Sequence, residues 1–491
     1  MKTYSTDDLR NICLIGSGGS GKTSLVETLL YNAGMIDRLG RIEEGNTVSD
    51  FTPEEIERRS SLYLALSYIE YRDKKINLLD TPGYADFLGE VYAGLYVAEG
   101  MILVLDAAVG LEASSELLWE EATKYNSAKL IYLNKIDKEN VNFVRLAEEI
   151  KNRLSRNAQV FYLPIGEGTN FSGLIDLLNK KSIKFSPSGI SVEDIPFKVN
   201  LQGEPSEFIG LAEKEREKLF EMIASENEEL IEKYLEGKEI IIDELKSTLR
   251  KAVKEGKIIP ILCGSATKNL GSQVLLDFII DYFPRPEANE KGSLSALIFK
   301  TSLEPHTGRV SYLKIYSGKI STGTDVYNSN KRIKERIGQI CVAQGKKRIE
   351  VPFLSGGDLG CIVKLKESGT NESISFEKDS IVLEPITFPE PVTDLAIYPK
   401  TQGDEEKMAN ALSTVVQEDP TIRWHYNPET RETVVYGLGS TQLEVMVKRI
   451  KERYNVDVEL HRPRVPYKET IKTKSEVQGK YKRQSGGRGQ Y

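Results

Sequence analysis

Along the first half of the chain, short apolar runs take turns with stretches of helically spaced apolar residues. The runs at 11–15, 101–105, 130–133 and 259–262 have the length of buried strands, and helical stretches separate most of them. Residues 64–71 alternate apolar with polar, Asp73-Lys74 turns the chain and 76–80 returns, which predicts a hairpin. Alternating β and α segments imply a mostly parallel, doubly wound sheet whose ligands bind at the carboxyl ends of its strands. Residues 35–62 interrupt the pattern, with little apolar periodicity and many charges, Glu54, Glu55, Glu57, Arg58 and Arg59 among them. A loop of that length in a compact α/β domain is expected to be functional or mobile.

The pattern also divides the chain. Asp137 and Cys263 are separated by more chain than one crossover needs, and the charged helical stretches from about 206 to 255 predict a subdomain inserted at about 157–257. Pro284-Arg285-Pro286 stops the preceding helix and stiffens a linker, closing a first domain at 1–286. Over 287–387, short alternating strands broken by turns such as Tyr316-Ser317-Gly318-Lys319 predict a small β-barrel. From 388 to 465 the order is strand (394–398), helix (405–417), hairpin (422–436), helix (442–454) and strand (456–460), as in a ferredoxin-like α+β sandwich. The expected fold class is multidomain α/β, which agrees with a length of 491 residues, too long for a single core.

Composition narrows this picture in three ways. No apolar run approaches the ~20 residues of a membrane helix, and residues 1–8 lack the apolar stretch of a leader, so the expectation is a cytoplasmic protein with no membrane partner. Cys13, Cys263, Cys341 and Cys361 lie far apart without metal-ligand spacing, which predicts buried reduced thiols. The net charge of −7 argues against a generic nucleic-acid binder, yet residues 445–491 carry thirteen Lys/Arg against five Asp/Glu. That excess is either a solvated helix face and tail or an edge that meets phosphate.

The chemistry begins at Gly16-Ser17-Gly18-Gly19-Ser20-Gly21-Lys22-Thr23, between the run at 11–15 and a helical stretch. Glycines let successive backbone N–H groups converge on an anion, and the helix behind them points its positive end the same way. Lys22 would reach β- and γ-phosphates, and the Thr23 hydroxyl would bind Mg²⁺. Asp80-Thr81-Pro82-Gly83 ends a strand: Asp80 would hold Mg²⁺ through water, and the Gly83 N–H would sense the γ-phosphate. Asn134-Lys135-Ile136-Asp137 ends another. A carboxylate accepts two hydrogen bonds, and guanine offers an N1–H beside an N2 amino group, so Asp137 would select guanine while Asn134 braces the site and the Lys135 stem covers the ring. Ser265-Ala266 would complete the pocket with a backbone N–H for the guanine O6.

With these motifs in order at strand ends, the chain resembles elongation factor G and its close paralogues, from about Leu9 to Tyr491. The resemblance includes Leu163-Pro164-Ile165-Gly166, Gly356-Gly357-Asp358-Leu359-Gly360, Gln417-Glu418-Asp419-Pro420-Thr421 and the segment 483–491. It implies a P-loop GTPase domain with its insert, a β-barrel, a ferredoxin-like domain and, from 466 to 491, the start of a further α+β domain, as in a fragment of a longer protein. It further implies GTP or GDP with Mg²⁺ as ligands, and a monomer whose partner is the ribosome, both ribosomal RNA and ribosomal proteins. Distal domains would bring tRNA or mRNA.

Three positions depart from the family pattern, all of them around the phosphates. The family usually carries Asp where this chain has Gly19, a Thr metal ligand where an ungapped alignment puts Ser61, and a water-orienting His where it has Tyr84. A Ser hydroxyl can still bind Mg²⁺. Tyr84 either positions water by a single hydrogen bond or packs as an aromatic; a phenol cannot carry positive charge and accepts protons poorly at pH 7. Residues 1–305 contain no histidine to replace it. Gln442 also stands where the family often has His. Lys22, Gly83 and Tyr84 are therefore the expected catalytic set, and Thr23, Ser61 and Asp80 the expected metal ligands. The expected function is a ribosome-associated GTPase driving a translocation- or recycling-type step. The alternative is a low-turnover, GTP-dependent ribosome-binding or protection factor like the tetracycline-resistance proteins.

Overall fold

The computed structural model describes residues 2–125, 127–186, 189–194, 206–238, 240–304 and 307–479. The first domain runs β1 (Leu9–Ile15), α1 (Lys22–Asn32), α2 (Pro53–Arg58), β2 (Ala65–Tyr71), β3 (Lys74–Asp80), α3 (Leu88–Val97), β4 (Gly100–Asp106), α4 (Ala113–Thr123), β5 (Ala128–Asn134), α5 (Phe143–Arg153) and β6 (Ala158–Val160). An insert follows, with β7 (Tyr162–Ile165), β8 (Gly173–Asp176), β9 (Lys181–Ser186), β10 (Gly189–Asp194), α6 (Ser206–Ala224), α7 (Glu228–Leu235) and α8 (Ile242–Lys254), before β11 (Ile259–Cys263) and α9 (Ser272–Tyr282) return to the main body. The seven-stranded sheet has the order β2-β3-β1-β4-β5-β11-β6. Only β2 is antiparallel to its neighbour, as the hairpin pattern predicts.

The insert is narrower than 157–257. β6 pairs with β11 as the outer strand of the main sheet, so the insert begins after it. The three-residue β6 is too short to register as a strand by its pattern, and burial of Ala158 and Val160 against the core decides its place.

The second domain is all strand: β12 (Ser295–Glu304), β13 (Gly308–Ser317), β14 (Lys319–Ser321), β15 (Asp325–Asn328), β16 (Ile333–Arg336), β17 (Gln339–Gln344), β18 (Lys347–Glu350), β19 (Phe353–Ser355), β20 (Leu359–Val363) and β21 (Ser373–Ser375). Eight of these form one antiparallel sheet, in the order β16-β15-β21-β12-β13-β20-β17-β18, and β14-β19 form a second. Both sheets bury residues in one core, Ile320 and Leu354 meeting Ile298, Leu313, Ile340 and Ile362. The third domain comprises β22 (Thr393–Pro399), α10 (Glu405–Glu418), β23 (Arg423–Asn427), β24 (Glu432–Gly437), α11 (Ser440–Tyr454) and β25 (Val458–His461). Its sheet order, β23-β24-β22-β25, is that of the ferredoxin-like sandwich. Of the segment 466–491, residues 480–491 lie outside the described residues, and 466–479 carry no regular element and are exposed.

Polar groups fasten the first two domains together. Lys75 of β3 is fully buried and donates to both carboxylate oxygens of Asp358, at 2.6 and 2.9 Å. Asn77 reaches the same carboxylate at 3.0 Å, and Asn11 donates to the Gly357 carbonyl at 2.9 Å. Helix α11 fastens the third domain to the charged loop of the first. Arg58 pairs with Glu444 at 3.3 Å, Lys448 pairs with Glu57, and Arg449 lies 3.5 Å from Glu54 and 3.3 Å from Glu418. Part of the basic excess is therefore neither a solvated face nor an edge free for phosphate. Gln442 is also structural, donating to Asp419 at 2.8 Å and to Thr421 at 2.7 Å.

Candidate functional site

β1 lies between β3 and β4, where the strand order reverses, so the loop after it opens into the crevice that such sheets offer a ligand. Gly21 caps α1 at φ 94°, a left-handed conformation that glycine adopts without strain. A Cβ there would also lie 2.3 Å from the Asn134 Nδ2. Lys22 folds back over the loop and donates to the carbonyls of Gly16 at 2.7 Å and Ser17 at 3.1 Å. Burial lowers its pKa to about 8, against the opposing charges of Asp80 and Asp50. The Ser17 hydroxyl bonds those of Ser114 and Ser115 at the start of α4, each at 2.7 Å. Ser20 donates its N–H to the Ser17 carbonyl, which closes the turn.

The loop after β3 is folded onto this one. Thr81 is fully buried and donates to the Leu14 carbonyl at 2.6 Å, Pro82 is buried behind it, and the Gly83 carbonyl accepts from the Gly18 N–H at 3.1 Å. Tyr84 lies with its ring against Gly18, where a Cβ would come within 2.9 Å of it, yet the residue is 53% exposed. It packs on the loop and also reaches solvent. Beside Gly19 there is open space: a Cβ at that position meets nothing within 4 Å.

Below the loop sit two buried carboxylates that face Lys22 and the hydroxyls of Thr23, Ser49 and Ser61. Asp80 is 1% exposed and Asp50 is 4% exposed, and neither has a hydrogen-bond partner on either oxygen. Burial pushes Asp50 up to about 8, with the charge of Asp80 adding to it, and burial also raises Asp80, opposed by Lys22. The Thr23 and Ser61 hydroxyls meet at 3.0 Å beside them. Unpaired buried carboxylates are costly. Two of them with two hydroxyls form an all-oxygen donor set that fits a hard divalent cation such as Mg²⁺. Sequence reasoning missed Asp50 as a donor. The available signal was its place just ahead of Thr52-Pro53-Glu54-Glu55, a capping box that starts α2.

The loop that carries Ser61 is held from both ends. Glu27 of α1, 2% exposed, accepts from the N–H groups of Gly40 and Val48. Glu55 accepts from those of Leu62 at 3.1 Å and Tyr63 at 3.2 Å. Residues 35–62 are thus a packed loop in this structure, fixed by carboxylates on backbone amides.

At the far end of the crevice Asn134 staples two loops: its Nδ2 donates to the Ser20 carbonyl at 2.9 Å and its Oδ1 accepts from the Ala266 N–H at 3.0 Å. Lys135 lies across the first loop, donating to the Gly19 carbonyl at 2.5 Å and to Asp106 at 2.8 Å. Ile136 is fully buried and orients the turn. Asp137 pairs with Lys268 at 3.2 Å and leaves its other oxygen unpartnered. Ser265 and Ala266 stand beside it, but their N–H groups are engaged within the protein, Ser265 donating to Leu270 at 2.8 Å and Ala266 to Asn134. The expected residues thus converge on one crevice, phosphate-type groups at one end and base-type groups at the other.

Comparison with known proteins agrees with this geometry. Residues 7–285 match the elongation factor Tu GTP binding domain, 293–375 match elongation factor G domain 2, and 388–462 match elongation factor G domain III. The elongation factor G of Thermotoga maritima is 40% identical over 99% of this chain and 72% of its own length. The chain belongs to the elongation factor G family. That of Thermotoga neapolitana is 39% identical over the same shares. A crystal structure of a protein from Thermus thermophilus superposes with a TM-score of 0.87 at 30% identity, covering 99% of this chain and 72% of that one. Membership of the elongation factor G family makes the chain a translational GTPase, with GTP-binding, second and third domains in family order. Among the described residues no helix is long and apolar enough to cross a membrane.

Proposed function

We propose that the chain binds GTP with Mg²⁺ in the crevice at β1, hydrolyses it to GDP and phosphate, and uses that cycle on the ribosome for a translocation- or recycling-type step. The observation that carries most weight is the pair of buried, unpartnered carboxylates of Asp50 and Asp80 beside the Thr23 and Ser61 hydroxyls. These four groups would hold the ion, which supplies positive charge to the phosphates when bound. The backbone N–H groups of residues 16–23 would cradle the phosphates, and Lys22 would leave the Gly16 and Ser17 carbonyls for the β- and γ-oxygens.

Gly83 would follow the γ-phosphate with its N–H. Tyr84, placed over Gly18 and half exposed, would hold the attacking water by its hydroxyl. At the base end Asp137 would exchange Lys268 for the guanine N1–H and N2 amino group, and Ala266 would exchange Asn134 for the guanine O6. Ser265 and Ile136 would shape the pocket, and the Lys135 stem would cover the ring. The ribosomal partner follows from the elongation factors that the chain resembles over 99% of its length, and with it a cytoplasmic location.

The test is single-turnover GTP hydrolysis with and without ribosomes, for the natural chain and Tyr84→His. Acceleration of the natural chain by several decades is the expected result. If ribosomes stimulate only Tyr84→His, the hydrolytic role fails and a low-turnover, GTP-dependent binding factor takes its place.

A further inference from the structure

Two of the four cysteines, twenty residues apart in sequence, are brought face to face. Cys341 of β17 and Cys361 of β20 are direct partners in an antiparallel ladder. Such partners hold their Cα atoms ~4.5–5.5 Å apart with both side chains on one face, inside the ~4.4–6.8 Å that a disulfide spans. The two residues are 1% and 0% exposed, and both are free thiols. The face they share is not the interior of the second domain. Ile340, Val342 and Ile362, their chain neighbours, fill that interior, whereas Cys341 and Cys361 join the core of the first domain. The pair therefore sits at the junction of the two domains.

The Cys361 thiol, bonding to the Cys341 sulfur, holds Cys341 below the ordinary thiol range and is itself pushed well above it. The Arg348 guanidinium on β18 favours the thiolate of both, against burial and the charges of Glu350 and Glu304. Arg348 is anchored on Glu304 at 3.0 Å and keeps a buried Nε without a hydrogen-bond partner. Burial raises both Cys13 and Cys263. Tyr312, the ladder partner of Cys361 on its other side, lines a cavity of about 320 Å³ together with Glu304 and Gly345.

We propose that Cys341 and Cys361 are a redox site, closing to a reversible intrachain disulfide on reaction with a small hydroperoxide. The Cys341 thiolate attacks one peroxide oxygen, breaking the O–O bond and releasing hydroxide, which leaves as water once protonated; Cys341 becomes a sulfenic acid. The Cys361 sulfur then attacks the Cys341 sulfur, the S–S bond forms, and the sulfenic oxygen departs as a second water with the Cys361 proton. Two thiols have given two electrons to one peroxide. A thiol reductant reverses the step by exchange.

The consequence is mechanical. β17 runs on to Gln344, which accepts from the Tyr68 N–H at 3.2 Å, and to Gly345, which donates to the Leu66 carbonyl at 3.0 Å. These are the ties between the second domain and β2, the strand that leaves the loop carrying Asp50 and Ser61. Joining β17 covalently to β20 stiffens that tie.

The test treats the folded chain, with GTP and Mg²⁺, with hydrogen peroxide, blocks remaining thiols and maps the peptides by mass. The expected product is one linked pair containing Cys341 and Cys361, two hydrogens lighter than its reduced parts and restored by dithiothreitol. The Gly345 amide should then exchange with deuterium on the order of tenfold more slowly. In Cys361→Ser the link is lost and Cys341 is trapped as a sulfenic acid by dimedone, with the fold checked by circular dichroism. Recovery of both thiols unchanged, a link formed only in denaturant, or a link through Cys13 or Cys263 overturns the proposal. An unchanged Gly345 exchange rate overturns the mechanical consequence.

Discussion

Replacing Arg449 by Met tests how firmly the third domain holds the loop that carries Asp50 and Ser61. Arg449 is 11% exposed and stands between Glu54 of α2, 4% exposed, and Glu418 of α10, 6% exposed. Its guanidinium also lies 4.7 Å from the centre of the Tyr63 ring. After the substitution Glu418 keeps Arg453 at 3.1 Å and the Leu303 N–H, so its cost is small. Glu54 loses its one charged partner among the described residues. A buried charge stripped of its partner costs ~3–5 kcal/mol. The low end applies, because the Glu54 contact is an ion pair at 3.5 Å rather than a short hydrogen bond. With the lost ring contact included, α2 should open from the body of the protein about 3 kcal/mol more easily, or on the order of 150-fold more often. Hydrogen exchange reads this directly at the Ile56 amide, which is bonded to the Thr52 carbonyl at 3.0 Å inside α2. Adding Glu54→Gln removes the stranded charge and should restore exchange to within ~1 kcal/mol of the natural chain. An Ile56 rate raised less than about fivefold in Arg449→Met would refute the reasoning. So would a double variant as labile as the single one.

Three further outcomes follow from the same geometry. Asp137→Asn should weaken guanine-nucleotide binding by ~2 kcal/mol or more, measured by titration with a fluorescent GDP analogue, because an amide cannot accept both guanine hydrogens; unchanged affinity would remove the base-selection role. Asn134→Ala frees the buried Ser20 carbonyl and Ala266 N–H together, and at ~1–3 kcal/mol for each unsatisfied group GDP should dissociate at least tenfold faster in a stopped-flow chase. Lys75→Met strands the Asp358 carboxylate, which is left with Asn77 alone among side-chain donors. Limited proteolysis between the first and second domains should then become roughly 100-fold faster, corresponding to ~3 kcal/mol, and an unchanged cleavage rate would show that the buried pair does not hold the domains together.

What the sequence alone determined was local chemistry and the longer elements, while the short α2 and β6 escaped it. The loop 16–23, Asp80 to Gly83 and Asn134 to Asp137 are contiguous segments whose chemistry follows from residue type and spacing, and alternating β and α segments place them at strand ends. The strand and helix order of the third domain was legible for the same reason, since period-2 and period-3.6 apolar patterns are local. What only the tertiary structure decided were pairings between distant segments. Asp50 is buried near Asp80 because the loop folds back on Glu27 and Glu55, and Lys75 is fully buried because the Asp358 turn of another domain covers it. Lys448 and Arg449 of α11 meet α2, and Cys341 faces Cys361 because a strand register, invisible in either segment, sets them opposite. These outcomes depend on which surfaces exclude water together, and no period in the sequence encodes that. The P-loop with its Lys and Thr therefore announces a nucleotide; how firmly the loop around it is held, and by which domain, belongs to the fold.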